Sequence, residues 1–477
     1  MLTTHYAREL AQLVTPVAPD MPRDARLRLV NHALADELQL PGHWWQTDNV
    51  TGLLCSPMSE LSRHAVAQKY GGHQFGQWNP MLGDGRGVLL GEVTSASGKL
   101  HDLHLKGAGM TPYSRQGDGR AVLRSTLREY IGSEALHHLG IPSSRALCLF
   151  DSPQTVLRET AETAALMIRT APSHIRFGHF EYYYNTGDTQ ALNALFDFVF
   201  TYHFSELKEA ANPHQALLKA ITLRTARMIA LWQAYGYVHG VMNTDNMSIH
   251  GITFDYGPYA MLDNFVSNSV FNHSDPQGRY AFDQQPGVAL WNLNALARAF
   301  SGHCTIDEIK AVLQMYEPTF MAQYQQIMMQ RLGLDKPAEQ TLSVLNAFMR
   351  MVADEQRDYT ATLRKLSHAD PTLSHNPLRD EFIDREGFDT WWQQYRALRQ
   401  TQGNIQNSQQ QMLNTNPVVI PRTHYLQQVI DDARQGDYTT AKAMIEAVSS
   451  PFSTKWENTR WAMPPTDDSQ VSLSCSS

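Results

Sequence analysis

Polar and apolar residues alternate in His101-Asp-Leu-His-Leu-Lys-Gly107, which predicts a half-buried strand ending at Lys106. Just upstream, Leu82-Gly-Asp-Gly-Arg-Gly87 leads into an apolar run to Val93, the pattern of a Gly-rich hairpin and strand. Downstream the period lengthens. Val122, Leu123, Leu127, Ile131, Ala135 and Leu139 share one side of a predicted helix over 120–139, ended by Gly140 and Pro142. A helix is also expected over 25–38, with Leu27, Val30, Leu34 and Leu38 inward, after an extended segment holding Pro16, Pro19 and Pro22. The Gly- and aromatic-rich stretch 67–78 reads as turns.

Beyond residue 190 the pattern is mostly helical. Apolar faces run through 192–209 and 216–236, and Leu290, Leu293, Leu296 and Phe300 form a buried stripe in 282–300. Two more helices are expected in 306–368. From about 369 the chain turns polar, with a Gln/Asn-rich stretch at 402–415, a helix over 424–435 and a Ser/Pro-rich tail from Pro451. Between these helices, Met247-Ser-Ile249 and Ile252-Thr-Phe254 flank Gly251. They read as two short strands of a hairpin that would bring Asn246 and Asp255 to one end.

Composition narrows the function classes. The chain has 477 residues, 42% apolar content and a formal net charge of -8, which argues against a general nucleic-acid or anionic-membrane binder. Cys55, Cys148, Cys304 and Cys475 are scattered without a C-x-x-C, so neither a zinc site nor a disulfide framework is expected. No secretory h-region and no membrane-spanning apolar run stands out, and a cytoplasmic protein is the expectation. Cys475, near the C-terminus, reads equally as a redox-sensing thiol or an inert tail residue.

The chemistry gathers in 239–257. Asp245, Asn246 and Asp255 offer oxygen ligands of the kind a hard cation such as Mg²⁺ takes together with nucleotide phosphates. Asp255-Tyr-Gly257 resembles the D-F-G of protein kinases, Asn246 their catalytic-loop Asn, and His239 the loop's leading His. Two residues after His239, where a kinase has its base Asp, stands Val241, which takes no proton; the nearest carboxylate is Asp245. Lys106 resembles the kinase strand Lys, and Glu129 in the following helix is its expected partner. Gly83, Gly85 and Gly87 let backbone approach phosphates, with Arg86 as a fixed cation. Asp118 and Gly119 stand at the helix entrance, where Asp118 is read as an N-cap or a nucleotide contact. Arg120, Arg124 and Arg128 recur every four residues; Arg128 is read as part of a solvated stripe. Arg169 and Arg176, placed in a loop, suit either a terminal phosphate or ion pairs with Glu159 or Glu181. The 272–280 segment resembles a kinase activation segment that receives a protein substrate.

Seven stretches together resemble the SelO (YdiU) family of kinase-fold protein adenylyltransferases. They are Gly-His-Gln-Phe-Gly (72–76), Leu-Gly-Asp-Gly-Arg-Gly (82–87), His-Leu-Lys-Gly-Ala-Gly (104–109), Thr-Pro-Tyr-Ser-Arg (111–115), Gly-Asp-Gly-Arg-Ala-Val-Leu-Arg-Ser (117–125), Arg-Phe-Gly-His-Phe-Glu (176–181) and His-Gly-Val-Met-Asn-Thr-Asp-Asn-Met-Ser (239–248). The resemblance implies a pseudokinase fold that binds ATP reversed and moves AMP to Ser, Thr or Tyr hydroxyls of proteins. It leaves UTP and UMP open as a second donor pair, and implies auto-modification. It places Gly83, Gly85, Arg86, Lys106, Asp118, Gly119, Arg169 and Arg176 on ATP. Asp245 would be the base, and Asn246 and Asp255 would hold Mg²⁺ or Mn²⁺, with Asp255 near the nucleotide as well. The expected fold is α+β: a bilobal protein-kinase-like fold with N- and C-terminal extensions. Its parts are an N-terminal extension (1–60), an N-lobe (61–170), a helical C-lobe (171–368) and a C-terminal helical extension with the Ser/Cys tail (369–477). The rival readings are a kinase-like phosphotransferase and a non-catalytic nucleotide-binding scaffold.

Overall fold

The alternating stretches before residue 172 form a sheet. In the computed structural model, which describes residues 2–46, 49–335, 337–466 and 473, eight of its strands join in one sheet. The first ten strands in chain order are β1 (Val14–Pro16), β2 (Arg26–Val30), β3 (Val66–Gln68), β4 (Gly72–Gln74), β5 (Gln77–Asn79), β6 (Gly87–Thr94), β7 (Leu100–Lys106), β8 (Ala121–Val122), β9 (Arg145–Leu157) and β10 (Ala161–Ala171). The sheet runs β1-β3-β6-β7-β10-β9-β2, with β8 on β10, and its pairs are antiparallel. β4 and β5 form a separate hairpin.

Both faces of this sheet are apolar, so both need cover. On one face Leu89, Leu149 and Met167 pack with Leu123, Leu127 and Ile131 of the Leu123–His138 helix. On the other, Val88, Leu90, Leu103, Leu105 and Ile168 pack with Leu34, Leu38, Trp44, Val50 and Leu54. The N-terminal residues therefore contribute two strands and the outer layer of the sheet. At 25–38 the expected single helix is instead β2 followed by a helix over His32–Glu37. Arg26-Leu-Arg-Leu-Val30 alternates with period two and pairs with β9, while the Asn31 side chain caps the short helix through Leu34 N at 3.1 Å.

The second part is helical. Helix Pro213–Tyr235 matches the one expected at 216–236 and is stopped by Gly236 in the left-handed region at φ 73°, whereas the helix expected at 192–209 is Thr189–Tyr202, followed by a short 3-10 turn at Ser205–Leu207. Four helices, not two, occupy 306–368: Ile306–Leu313, Tyr316–Arg331, Glu339–Asp354 and Tyr359–Ser367. The Gln/Asn-rich stretch contains a helix, Ile405–Thr415, whose Asn404 cap accepts from Gln406 N and Asn407 N. Two later helices, Thr423–Arg434 and Thr439–Val448, pack back on Leu123–His138. The fold is α+β, with a strand Lys and helix Glu paired as in kinases.

The hairpin expected at 247–254 does not form. Ser248 bridges to Arg176 and Thr253 to Ser143, so each arm finds a different neighbour; Tyr237–Val238 pairs with Ala260–Met261 instead. The 82–87 stretch is likewise a loop that enters β6, not one arm of a hairpin. No helix among the described residues is long and apolar enough to cross a membrane. Cys55, Cys148 and Cys304 are free thiols, and Cys475 lies outside the described residues.

Arg422 ties the C-terminal helices to the rest. Its fully buried guanidinium binds Asp263 and, at 2.8 Å, Asp358. Removing one partner of such a group leaves carboxylates without their counter-ion. Arg422→Met is expected to lower stability by about 3 kcal/mol, read as a drop in thermal midpoint at unchanged helix content.

Candidate active site

Between the sheet and the helices lies a cavity of about 600 Å³. Gly83, Gly85, Arg86, Lys106, Asp118, Gly119, Arg169, Arg176, Asp245, Asn246 and Asp255 all line it. The sheet explains part of this convergence. Lys106 lies opposite Met167 and His104 opposite Arg169, so Lys106, His104 and Arg169 share one face. That face carries the Leu123–His138 helix, and Glu129 in the helix meets the Lys106 ammonium in a buried ion pair.

From Glu129 the charges continue as a chain. Its other oxygen accepts from Arg169 at 3.1 Å, Arg169 binds Asp255 Oδ1, and Arg176 binds Asp255 Oδ2. Arg176 also donates to the Asp245 carbonyl at 2.8 Å. Burial alone would raise the Asp255 carboxyl, but Arg169 and Arg176 hold it well below the ordinary carboxylate range. Asp255 sits in the left-handed region at φ 57°, a conformation rare for residues other than Gly, Asn and Asp.

Two expectations about the arginines change here. Neither sits in a free loop: Arg169 is on β10 and Arg176 opens the Phe177–Asn185 helix. Both guanidiniums rest on Asp255, and neither pairs with Glu159 or Glu181. Glu181 is taken by His73. The four-residue repeat of Arg120, Arg124 and Arg128 is also no solvated stripe. Arg120 binds Asp20, Arg124 binds Glu162, and the buried Arg128 donates to the Tyr259 carbonyl.

Asp245 differs from Asp255. Burial pushes its carboxyl up to about 7, against the pull of Arg176. Its Oδ1 is buried without a hydrogen-bond partner, and Oδ2 accepts from Gln74 Nε2 at 3.3 Å. Asn246 donates through Nδ2 to the Val241 carbonyl at 3.0 Å, which leaves its Oδ1 as the acceptor for another group. Val241 lines the cavity beside it. His239 Nε2 lies 3.1 Å from the Phe254 carbonyl and joins the two arms of this segment.

The phosphate-loop candidates sit in tight backbone. Gly83 has φ 139°, and a Cβ there would stand 2.5 Å from Tyr113 Cγ. Asp118 accepts from both Arg158 terminal nitrogens at 2.9 Å and from Arg120 N at 2.9 Å. It is no N-cap, because Ala121–Val122 forms β8 and the helix starts at Leu123. Arg158 was not legible from spacing: it lines the cavity only because the β9–β10 turn carries it there. Gln74 and Phe75 also line the cavity, and their one sequence signal is the Gly-His-Gln-Phe-Gly stretch.

The donor set suits a divalent cation bound with phosphate. Among the described residues, no three His, Cys, Asp or Glu side chains cluster as a metal site. A protein-only cage is therefore absent there, while Asn246 Oδ1 and the Asp255 carboxylate are two hard oxygen donors. Mg²⁺ commonly takes few protein ligands and completes its shell with water and substrate phosphates. Arg86, Lys106, Arg115, Arg120, Arg158, Arg169 and Arg176 line the cavity against Asp84, Asp118, Asp245 and Asp255, with Glu129 behind Lys106, so the cavity keeps cationic surplus for a polyphosphate.

Comparison with known proteins agrees along the whole chain. A protein nucleotidyltransferase YdiU of Pseudoalteromonas atlantica is 50% identical over 99% of this chain and 99% of its own length. One of Pseudomonas aeruginosa is 44% identical over 99% of this chain and 98% of its own. A Toxoplasma gondii specific rhoptry antigen kinase domain, at 16% identity, aligns over 59% of this chain and 83% of that chain with a TM-score of 0.26, too low to carry weight. The family described as "Protein adenylyltransferase SelO" matches residues 1–449. The protein is a nucleotidyltransferase, and its chain belongs to the SelO family.

Proposed function

We propose that the enzyme moves AMP from ATP to Ser, Thr or Tyr hydroxyls of proteins, its own included. The observation that carries this reading is the meeting of two unlike carboxylates in one cationic cavity. Asp255 is fixed as an anion by Arg169 and Arg176, whereas Asp245 is buried, short of hydrogen bonds and poised near neutrality. Two carboxyls pushed apart in this way suit a metal ligand and a base. Asp245 takes the hydroxyl proton as the acceptor oxygen bonds the α-phosphorus and diphosphate leaves. Lys106, Arg86, Arg169 and Arg176 bind phosphate oxygens, and the Gly83–Arg86 backbone and the Asp118–Gly119 turn hold the rest of the nucleotide. Mg²⁺ or Mn²⁺, held by Asn246 and Asp255, would supply charge neutralisation at the attacked phosphate. The 272–280 segment, against which Phe75 packs through Tyr280, receives the acceptor protein.

Val241 in place of the kinase base, together with the family's named activity, supports AMP over phosphate. One observation favours a second reading, γ-phosphate transfer to the same acceptors: the arginines rest on Asp255 itself, not apart from it. Labelled ATP separates the two. With α-labelled ATP and Mg²⁺ or Mn²⁺, label is expected on protein, and with γ-labelled ATP none. The reverse pattern would restore the kinase reading.

Lys106→Ala tests the cavity itself. Glu129 keeps Arg169 as a partner, so the variant is expected to fold, with an unchanged far-UV spectrum. Transfer is expected to fall at least about 100-fold, because a phosphate-positioning cation has gone. Full activity in a folded Lys106→Ala protein would remove the kinase-like assignment of the site.

A further inference from the structure

The β4–β5 hairpin touches the segment before Asn246 residue by residue. His73 N donates to Thr244 Oγ1 at 2.7 Å, Gln74 Nε2 to Asp245 Oδ2 at 3.3 Å, and Phe75 N to Asn243 Oδ1 at 3.2 Å. Gly72 backs onto the same carboxylate: a Cβ there would stand 2.9 Å from Asp245 Oδ1. Three consecutive residues of one element thus engage three consecutive residues of the other.

The middle contact has a direction that can be traced to a backbone amide. Met81 N–H, which can only donate, gives its hydrogen to Asn79 Oδ1 at 2.9 Å. That turns Asn79 Nδ2 toward Gln74, whose Oε1 accepts it at 3.3 Å. Gln74 must then face Asp245 with its NH₂. The result is a one-way chain of hydrogen bonds, Met81 to Asn79 to Gln74 to Asp245, ending on the carboxylate.

We infer that Gln74 is a positioning residue for transfer: it fixes the plane of the Asp245 carboxylate, and Asn79 sets the direction in which Gln74 does so. The inference rests on the reading of Asp245 as the base. It gives the Gly-His-Gln-Phe-Gly stretch a task that phosphate binding leaves unexplained.

The test compares Gln74→Leu, Asn79→Asp, the double variant and Asp245→Asn in steady-state transfer to protein from ATP. Gln74→Leu removes the donor. Asn79→Asp keeps the Met81 bond but accepts on both oxygens, so the Gln74 amide turns over and presents its carbonyl oxygen to Asp245. Each single variant is expected to lower kcat about 10- to 100-fold, with KM for ATP within about twofold of wild type. The double variant is expected to be no worse than Gln74→Leu, because both act through one amide. Asn79→Asp keeps the side-chain volume, so a loss of kcat there is not a packing effect, and Asn79→Leu, which frees the Gln74 amide without adding a charge, is expected to show a loss of the same order. A dead Asp245→Asn beside a Gln74→Leu that keeps wild-type kcat would overturn the inference and leave the base reading standing. Losses that multiply in the double variant would overturn it too. Full activity in Asp245→Asn would overturn both readings.

Discussion

Everything in this cavity depends on one rule: a charge taken out of water must be paired. Lys106, Glu129, Arg169, Asp255 and Arg176 obey it as a continuous chain, cation beside anion throughout. The chain also joins five pieces of backbone: β7, the Leu123–His138 helix, β10, the start of the Phe177–Asn185 helix and the loop at Asp255. No member can be placed without the next. Phosphate oxygens and a cation would enter by exchanging partners within this chain, not by creating charges anew.

The sequence made the members of this chain visible but not their connections. Lys106 and Glu129 were legible because strand alternation and helical period put each at a recognisable place. The seat of Arg169 and Arg176 was not, since Pro172 suggested a loop where β10 runs on to Ala171. Partners across the fold carry no local signature, and the same blindness hid Arg158 and misjudged Arg128. The helix expected at 25–38 gives way for a different reason. Leu27, Leu34 and Leu38 do fall at helical spacing, but Leu29 and Arg28 alternate as a strand wants, and pairing with β9 decided between them. At 247–254, strand propensity was real and the partner was wrong, because Ser248 bridges to Arg176 and Thr253 to Ser143 across the fold.

The family resemblance pointed to the same cavity by another route. It named residues far apart in the chain, and the fold gathers every one of them around a single space. The surroundings of each carboxylate carry what the motif does not. Asp245 is buried and Asp255 half-buried, yet guanidiniums surround Asp255 and an unpaired oxygen marks Asp245. Their difference is a matter of environment and not of residue type.

The Leu123–His138 helix is enclosed on every side. The sheet lies beneath it, the Thr423–Arg434 and Thr439–Val448 helices rest against it, and Arg128 and Tyr259 exchange two hydrogen bonds at its middle. A helix so enclosed has no low-cost route outward, so Glu129 stays at its post whether or not nucleotide is bound. The Lys106–Glu129 pair is already made in this packing. Binding bears no penalty for first assembling the Lys–Glu pair, and the apparent affinity for nucleotide equals the intrinsic one as far as this helix is concerned.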